Sequence, residues 1–175
     1  MPARRPNARQ QPNADLPRLE FDCTNMTEVA FHFNVPDKMS YVCRLLRKAS
    51  QAKARVVVAG PQQALQTLDE ALWTFTATSF VAHCWSSDAS PKTDLSSVIL
   101  KNQDNPNDDS VMPHHEVLLN LGNSMPHGYE TFERVIEVVG LSEEDKSQAR
   151  ERWKQYAQRG YTLVKHDLSS KAANT

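Results

Sequence analysis

The sequence predicts an α/β protein: one domain with a Rossmann-like, doubly wound, mainly parallel sheet, helices on both faces and no nucleotide site. Three observations lead there. Short β-branched apolar runs, typified by "RVVVAG" at 55–60, have the continuous hydrophobicity of strands buried on both faces. Stretches with apolar residues at helical spacing alternate with such runs along the chain, as crossover connections require. The 175 residues suffice for one hydrophobic core but not comfortably for two.

The elements follow in order. Residues 1–25 are rich in Pro, Asn, Gln and Arg, lack hydrophobic periodicity before Leu16, and are expected to form a disordered or loosely docked arm. In "TEVAFHFNV" (27–35), Val29, Phe31 and Phe33 alternate with smaller or polar residues, the mark of a half-buried strand. Pro36 and Asp37 open a helix in which Tyr41, Val42, Leu45, Leu46 and Ala49 recur at helical spacing. Strand 55–60 passes through Gly60 and Pro61 into a second helix, "QQALQTLDEALWTF" (62–75). Two more strands are expected at Ser79–Cys84 and Ser97–Lys101, and the polar, patternless stretch 102–113 is expected to be a mobile loop. "EVLLNLG" (116–122) reads as a strand, and 126–140 as a short helix followed by a strand ending at Gly140. A long helix, Glu143–Arg159, and a last strand at 161–168 complete a domain spanning 26–168, with 169–175 as a frayed tail.

Charge and cysteine content narrow the function classes. Lys plus Arg (20) nearly balance Asp plus Glu (21), so no global field draws the chain to nucleic acid or membrane, and any electrostatic function is local. Cys23, Cys43 and Cys84 are odd in number and form no C-x-x-C pair, which fits free thiols in a reducing cytosol. No apolar run approaches the roughly 18 residues of a membrane span, and the N-terminus lacks the apolar core of a signal peptide. A soluble, cytoplasmic protein without membrane contact is expected.

Catalytic and metal chemistry leave little trace. The turns after the first two strands, at Pro36–Lys38 and Gly60–Leu65, lack the glycine cluster that cradles phosphate. No G-x-S-x-G elbow occurs. His114, His115 and Glu116 are residue types that suit zinc, but adjacent histidines on an extended segment point to opposite sides, and no third ligand sits at helical spacing. A solvent-facing pair is expected there. Asp104, Asp108 and Asp109 lack the Gly and terminal Glu of a calcium loop. No catalytic, cofactor-binding or metal residue is therefore singled out, although a nucleotide- or small-molecule-binding enzyme on the same sheet stays open as an alternative.

The most informative stretch is "KSQARERWKQYAQRGY" (146–161). Ser142 suits an N-cap, Glu143, Glu144 and Asp145 suit the first turn, and Gly160 stands at the position after the helix. At about 100° per residue, Ala149, Trp153 and Tyr156 form the core face. Lys146, Arg150 and Lys154 adjoin it as a shoulder with Trp153 at the boundary, whereas Arg152 and Arg159 fall on the opposite flank with no role assigned. Spacing alone leaves two readings open: basic residues that suit the macrodipole, or a receptor for an anionic group with a hydrophobic neighbour. Direct binding of single-stranded DNA through Arg4, Arg5, Arg9 and this helix is a third class, which the near-neutral charge disfavours.

"DEALWTFTATSFVAH" (69–83) and "KSQARERWKQYAQRGYTL" (146–163), in the element order from 27 to 167, resemble the chi subunit family of bacterial DNA polymerase III. The pattern L-D-x-x-L-W followed by S-F-V-x-H, with K-x-x-x-R-x-x-[YW]-K near the C-terminus, is distinctive in combination. The resemblance implies a non-catalytic, cofactor-free accessory subunit of the polymerase III holoenzyme and clamp-loader complex. Such a subunit binds the acidic, Phe-ending C-terminal tail of single-stranded DNA-binding protein, and so contacts coated single-stranded DNA indirectly. It also implies a second surface for the psi subunit, where the organism has one, or for a repair helicase. Carried over residue by residue, tail binding falls on Lys146, Arg150, Trp153 and Lys154, with Val139, Gly160 and Tyr161 as pocket walls. Arg150 and a lysine would engage the terminal carboxylate while Trp153 flanks the Phe ring. The second surface falls on Trp73, Phe80, Val81 and His83. Trp153 stands where the family often has Tyr, so an indole N–H replaces a phenolic hydroxyl.

Overall fold

The computed structural model describes residues 27–74, 80–105 and 112–169. In chain order these form β1 (Glu28–Val35), α1 (Lys38–Gln51), β2 (Val56–Gly60), α2 (Gln62–Thr74), β3 (His83–Trp85), α3 (Ser90–Leu95), β4 (Val98–Asn102) and β5 (Val117–Asn120). A single 3₁₀ turn (Tyr129–Thr131), β6 (Arg134–Gly140), α4 (Glu143–Gln158) and β7 (Thr162–Asp167) follow. The strands form one seven-stranded sheet in the order β3-β4-β2-β5-β6-β1-β7. Every described pairing is parallel.

Alternation along the central strands explains the two layers of core. Val56 and Val58 of β2 face one side, where they meet Val42 and Leu46 of α1 and Leu65, Leu68 and Leu72 of α2. Val57 and Ala59 face the other side, with Ile99, Leu118 and, from α4, Ala149 and Tyr156. Burying each of the larger side chains is worth about 1.5–3 kcal/mol, and β-branched residues fit both faces of the pleat. Among the described residues no helix is long and apolar enough to cross a membrane.

The amino termini of α1 and α2 are each met by a carboxylate of the protein itself. Asp37 caps α1, accepting from the Ser40 amide at 3.1 Å and the Ser40 hydroxyl at 2.6 Å. The Gln62 amide at the start of α2 donates to Asp104 Oδ2 at 2.8 Å. Each amino-terminal dipole end therefore already holds one of the chain's own carboxylates, which would repel a second anion.

Several expected elements shift. The strand read at Ser79–Cys84 is shorter and later, beginning at His83. Phe80 and Val81 precede it, while Phe75 and Ser79 lie outside the described residues. The helix α3 was not foreseen, because six residues carry too little periodicity to register. Of the stretch read as loop, Asn102 ends β4 and Met112 is buried in the core on the α4 side, whereas 106–111 lie outside the described residues, as do the arm, Cys23 and the tail from 170. Cys43 and Cys84 are free and buried, and burial pushes both thiols up. His114 is also buried, against the expected solvent-facing pair, while His115 stays exposed and packs its ring 5.1 Å from that of Phe132.

Candidate functional site

The geometry of α4 is set by three attachments. At its start, Ser142 Oγ accepts from the Asp145 amide at 3.3 Å, the expected N-cap. Asp145 Oδ2 in turn accepts from the Gly140 amide at 2.6 Å and from Lys38 Nζ at 3.0 Å, so one carboxylate joins the end of β6, the start of α4 and the start of α1. A Cβ at Gly140 would meet Asp145 Oδ2 at 2.9 Å and Lys38 Cδ at 3.3 Å, so these two side chains would have to shift.

Beneath the helix lies a buried polar cluster. Arg152, which the helical wheel placed on a flank without a role, is 3% exposed and holds Glu137 of β6 at 2.9 Å. Glu137 also accepts from the Tyr156 hydroxyl at 3.0 Å and from Asn120 Nδ2 at 3.0 and 3.1 Å. Arg152 Nη1 donates to the Asn123 carbonyl at 2.9 Å. Burial pushes the Glu137 carboxyl up, opposed by the Arg152 charge and these hydrogen bonds. With every carboxylate oxygen facing donors, the ionised form is the one the cluster accommodates. Burial and Glu137 likewise push the Tyr156 phenol up.

The third attachment is aromatic. Trp153 packs on Phe31 with ring centroids 4.8 Å apart and on Phe33 at 6.3 Å. Its indole also lies 4.7 Å from Lys165 Nζ of β7.

These constraints place the first half of α4 above a depression of about 330 Å³ at the carboxyl ends of β1, β6 and β7. It is lined by Phe33, Asn34, Val139, Lys146, Arg150 and Asp167. A bulge shapes the rim: register slips between His32 and Val35, Asn34 takes φ 57°, and its Nδ2 donates to Asp167 Oδ1 at 2.9 Å. That bond holds the Asp167 carboxyl below its usual range, with help from Ser169. Lys146 Nζ lies 3.0 Å from Glu143, but Arg150 is exposed and has no ion pair within 4.0 Å among the described residues. An unpaired guanidinium beside an apolar floor can take an anionic group with a hydrophobic neighbour.

Of the expected tail-binding residues, the fold thus brings Val139, Lys146 and Arg150 to one depression, with Trp153 one turn further along. Lys154 does not line it, being 63% exposed at its side chain and paired with Glu151 at 2.9 Å. Gly160 and Tyr161 follow the far end of α4. Gly160 takes φ 82°, the left-handed geometry of a helix stop, and Tyr161 packs on Tyr129 at 5.4 Å and Tyr156 at 6.2 Å. Phe33, Asn34 and Asp167 were missed. Only the Glu137 interrupting the apolar run of β6 was a sequence signal for the polar cluster.

The second group assembles differently. Trp73 and Phe80 are 62% and 66% exposed, with centroids 5.4 Å apart. His83 packs against both, at 5.0 and 6.4 Å, yet its side chain is 1% exposed. Its Nδ1 donates to the Val81 carbonyl at 2.7 Å, and its Nε2 lies 3.1 Å from Asp69 Oδ1 without the geometry of a hydrogen bond. Val81 belongs to the core at 4% exposure. Trp73 and Phe80 are therefore the available surface, and His83 and Val81 its support.

Comparison with known proteins places this architecture. The family described as "DNA polymerase III chi subunit, HolC" matches residues 26–164, covering all seven strands up to the middle of β7. No curated relative matches the chain. On the extent of that match, the chain belongs to the DNA polymerase III chi subunit family and is an accessory, replication-associated polypeptide of that polymerase.

Proposed function

We propose that this chi-family chain is a non-catalytic adaptor that binds the acidic, Phe-ending C-terminal tail of single-stranded DNA-binding protein. It thereby couples the polymerase III clamp-loader assembly to coated single-stranded DNA in the cytoplasm. The observation that carries this reading is the depression in which Arg150, unpaired among the described residues, and Lys146 stand over an apolar floor of Phe33 and Val139. A chain terminus ending in Phe offers the matching pair: a carboxylate for the guanidinium and a ring for the floor beside Trp153. Acidic side chains upstream meet the remaining cations, Lys154 among them. Gly160 and Tyr161 then serve to stop the helix and hold its far end, rather than to wall the pocket.

Titration calorimetry with the C-terminal peptide of the organism's own single-stranded DNA-binding protein tests this. Micromolar binding, roughly −8 kcal/mol, weakened by salt and lost when the terminal Phe is deleted, is the expected result. Equal binding with and without that Phe sinks it.

The paired exposure of Trp73 and Phe80 favours a second contact, for psi where the organism has it or for a repair helicase. Two large aromatics side by side in solvent form the kind of apolar anchor that interfaces bury. Loss of clamp-loader co-purification on changing both to Ala would support it.

A further inference from the structure

We infer that Lys165, seated on the indole of Trp153, is an additional cationic residue of the tail site that pairs with the acidic side chains upstream of the terminal residue, Trp153 acting as its platform. This rests on the reading of the site as a receptor for an acidic tail. It alters who does what within it, and it concerns a residue just past the 26–164 stretch matched to the family.

The argument begins with register. Phe31 of β1 pairs with Lys165 of β7, and Phe33 with Asp167, so these four side chains form a block on the α4 side of the sheet. Trp153 roofs that block, packed on Phe31 at 4.8 Å and Phe33 at 6.3 Å, with the Lys165 ammonium 4.7 Å from its ring centroid. The indole is therefore already in contact on two sides by the chain itself. An incoming aromatic ring would have to displace either core phenylalanines or a cation that the ring quadrupole attracts. The apolar lining of the depression is instead the half-buried Phe33 and the buried Val139.

Position gives the cation its partner. Among the described residues β7 is the outermost strand of the sheet and pairs with β1, and its Lys165 and Asp167 are exposed. Asp167 lines the depression, and Lys165 is two residues back on the same face of β7. A peptide whose last residue fills the depression and whose chain runs back along β7 passes Lys165. A carboxylate there meets an exposed ammonium whose stem is held, which lowers the entropy lost on pairing. Asp167, in contrast, repels any acid placed in the depression beyond the one carboxylate that Arg150 can neutralise, which sets the direction of the peptide.

The test uses two peptides: the acidic C-terminal tail of the organism's single-stranded DNA-binding protein, and the same tail with its upstream acids changed to amides and its terminal Phe kept. Each is titrated at low salt against the full chain and the variants Lys165→Ala, Trp153→Leu, their combination, and Arg150→Ala. Lys165→Ala is expected to weaken the acidic peptide about two- to fivefold, the scale of an exposed ion pair, and to leave the amide peptide unchanged. Trp153→Leu should reproduce that loss, and the combination should add nothing to it. An unchanged affinity of Lys165→Ala for the acidic peptide overturns the proposal, as does a Trp153→Leu loss that persists undiminished in the Lys165→Ala background. If neither peptide binds the native chain, the tail site itself is refuted. If Arg150→Ala abolishes binding while Lys165→Ala does nothing, only the role of Lys165 is lost.

Discussion

Arg152 Nε lies 2.9 Å from Glu137 Oε2 with both side chains shut away from solvent, so the helix that carries the candidate site is fastened to β6 by a buried ion pair. Asn120 and Tyr156 complete the shell around the carboxylate. The bond fixes the rotation of α4, and with it which cations overlook the depression.

Removing one partner should be severe. Arg152→Met leaves the Glu137 carboxylate buried without its counter-charge, a loss of about 3–5 kcal/mol. Urea unfolding of the variant measures it. Replacing Glu137 with Leu and Tyr156 with Phe in the same chain should restore part of the stability, because the apolar set carries no desolvation penalty and leaves no buried hydroxyl unpaired.

Gly140→Ala should loosen the start of α4. The new methyl would meet Asp145 Oδ2 at 2.9 Å and Lys38 at 3.3 Å, so the carboxylate has to give up its short bond to the residue 140 amide. A destabilisation of about 1–3 kcal/mol is expected, together with weaker tail-peptide binding, since Lys146 follows directly on Asp145. Thermal unfolding and peptide titration of the same sample read both effects.

Arg150 and Lys154 look alike on the helical wheel but should differ in effect. Arg150→Ala removes the guanidinium that lines the depression, and should weaken tail binding at least about tenfold, the worth of a charge-assisted hydrogen bond. Lys154→Ala touches a rim cation already engaged by Glu151, and should cost less than about threefold. Both variants should unfold within about 0.5 kcal/mol of the native chain, so calorimetry compares binding without a folding artefact.

Trp73→Ala and Phe80→Ala should separate surface from support. Each ring is mostly solvent-exposed, so each change should cost about 1 kcal/mol of stability or less while removing the second docking patch. Val81→Ala, in the core at 4% exposure, should cost about 1–3 kcal/mol instead. Chemical denaturation of the three variants checks the contrast.

Acid should destabilise the fold in a defined window. Burial, then repulsion by His166 and Arg134, lowers the pKa of His32 from 6.5 to about 4. Burial, then Arg55, lowers His114 from 6.5 to about 4, against the pull of Glu116. The unfolded chain takes up these protons as pH falls through 6.5, and the folded chain does so only near 4. Stability fully present above 6.5 is therefore lost progressively down to about 4. Unfolding free energies across that range should decline less steeply when both histidines are changed to Gln.

The sequence by itself determined most of the elements and their apolar faces, because apolar period two or near four is a local property that needs no partner to be visible. The alternation of β1, the apolar run of β2, and the core stripe of α4 at Ala149, Trp153 and Tyr156 all fold as their spacing demands. The shoulder of Lys146 and Arg150 was legible for the same reason. What only the tertiary structure decided is everything that depends on strand order. β1 lies between β6 and β7, which sets Phe33, Val139 and Asp167 around one depression although they are far apart along the chain. The wheel could not know that Glu137 waits beneath Arg152, so a residue with the chemistry of a solvated flank became a buried anchor. Nor could it know that Gly160 and Tyr161, at the end of the basic stretch, come after the far end of α4 and do not line the depression beside Lys146 and Arg150. Periodicity states which side of an element faces inward; the register of distant strands states what it meets there.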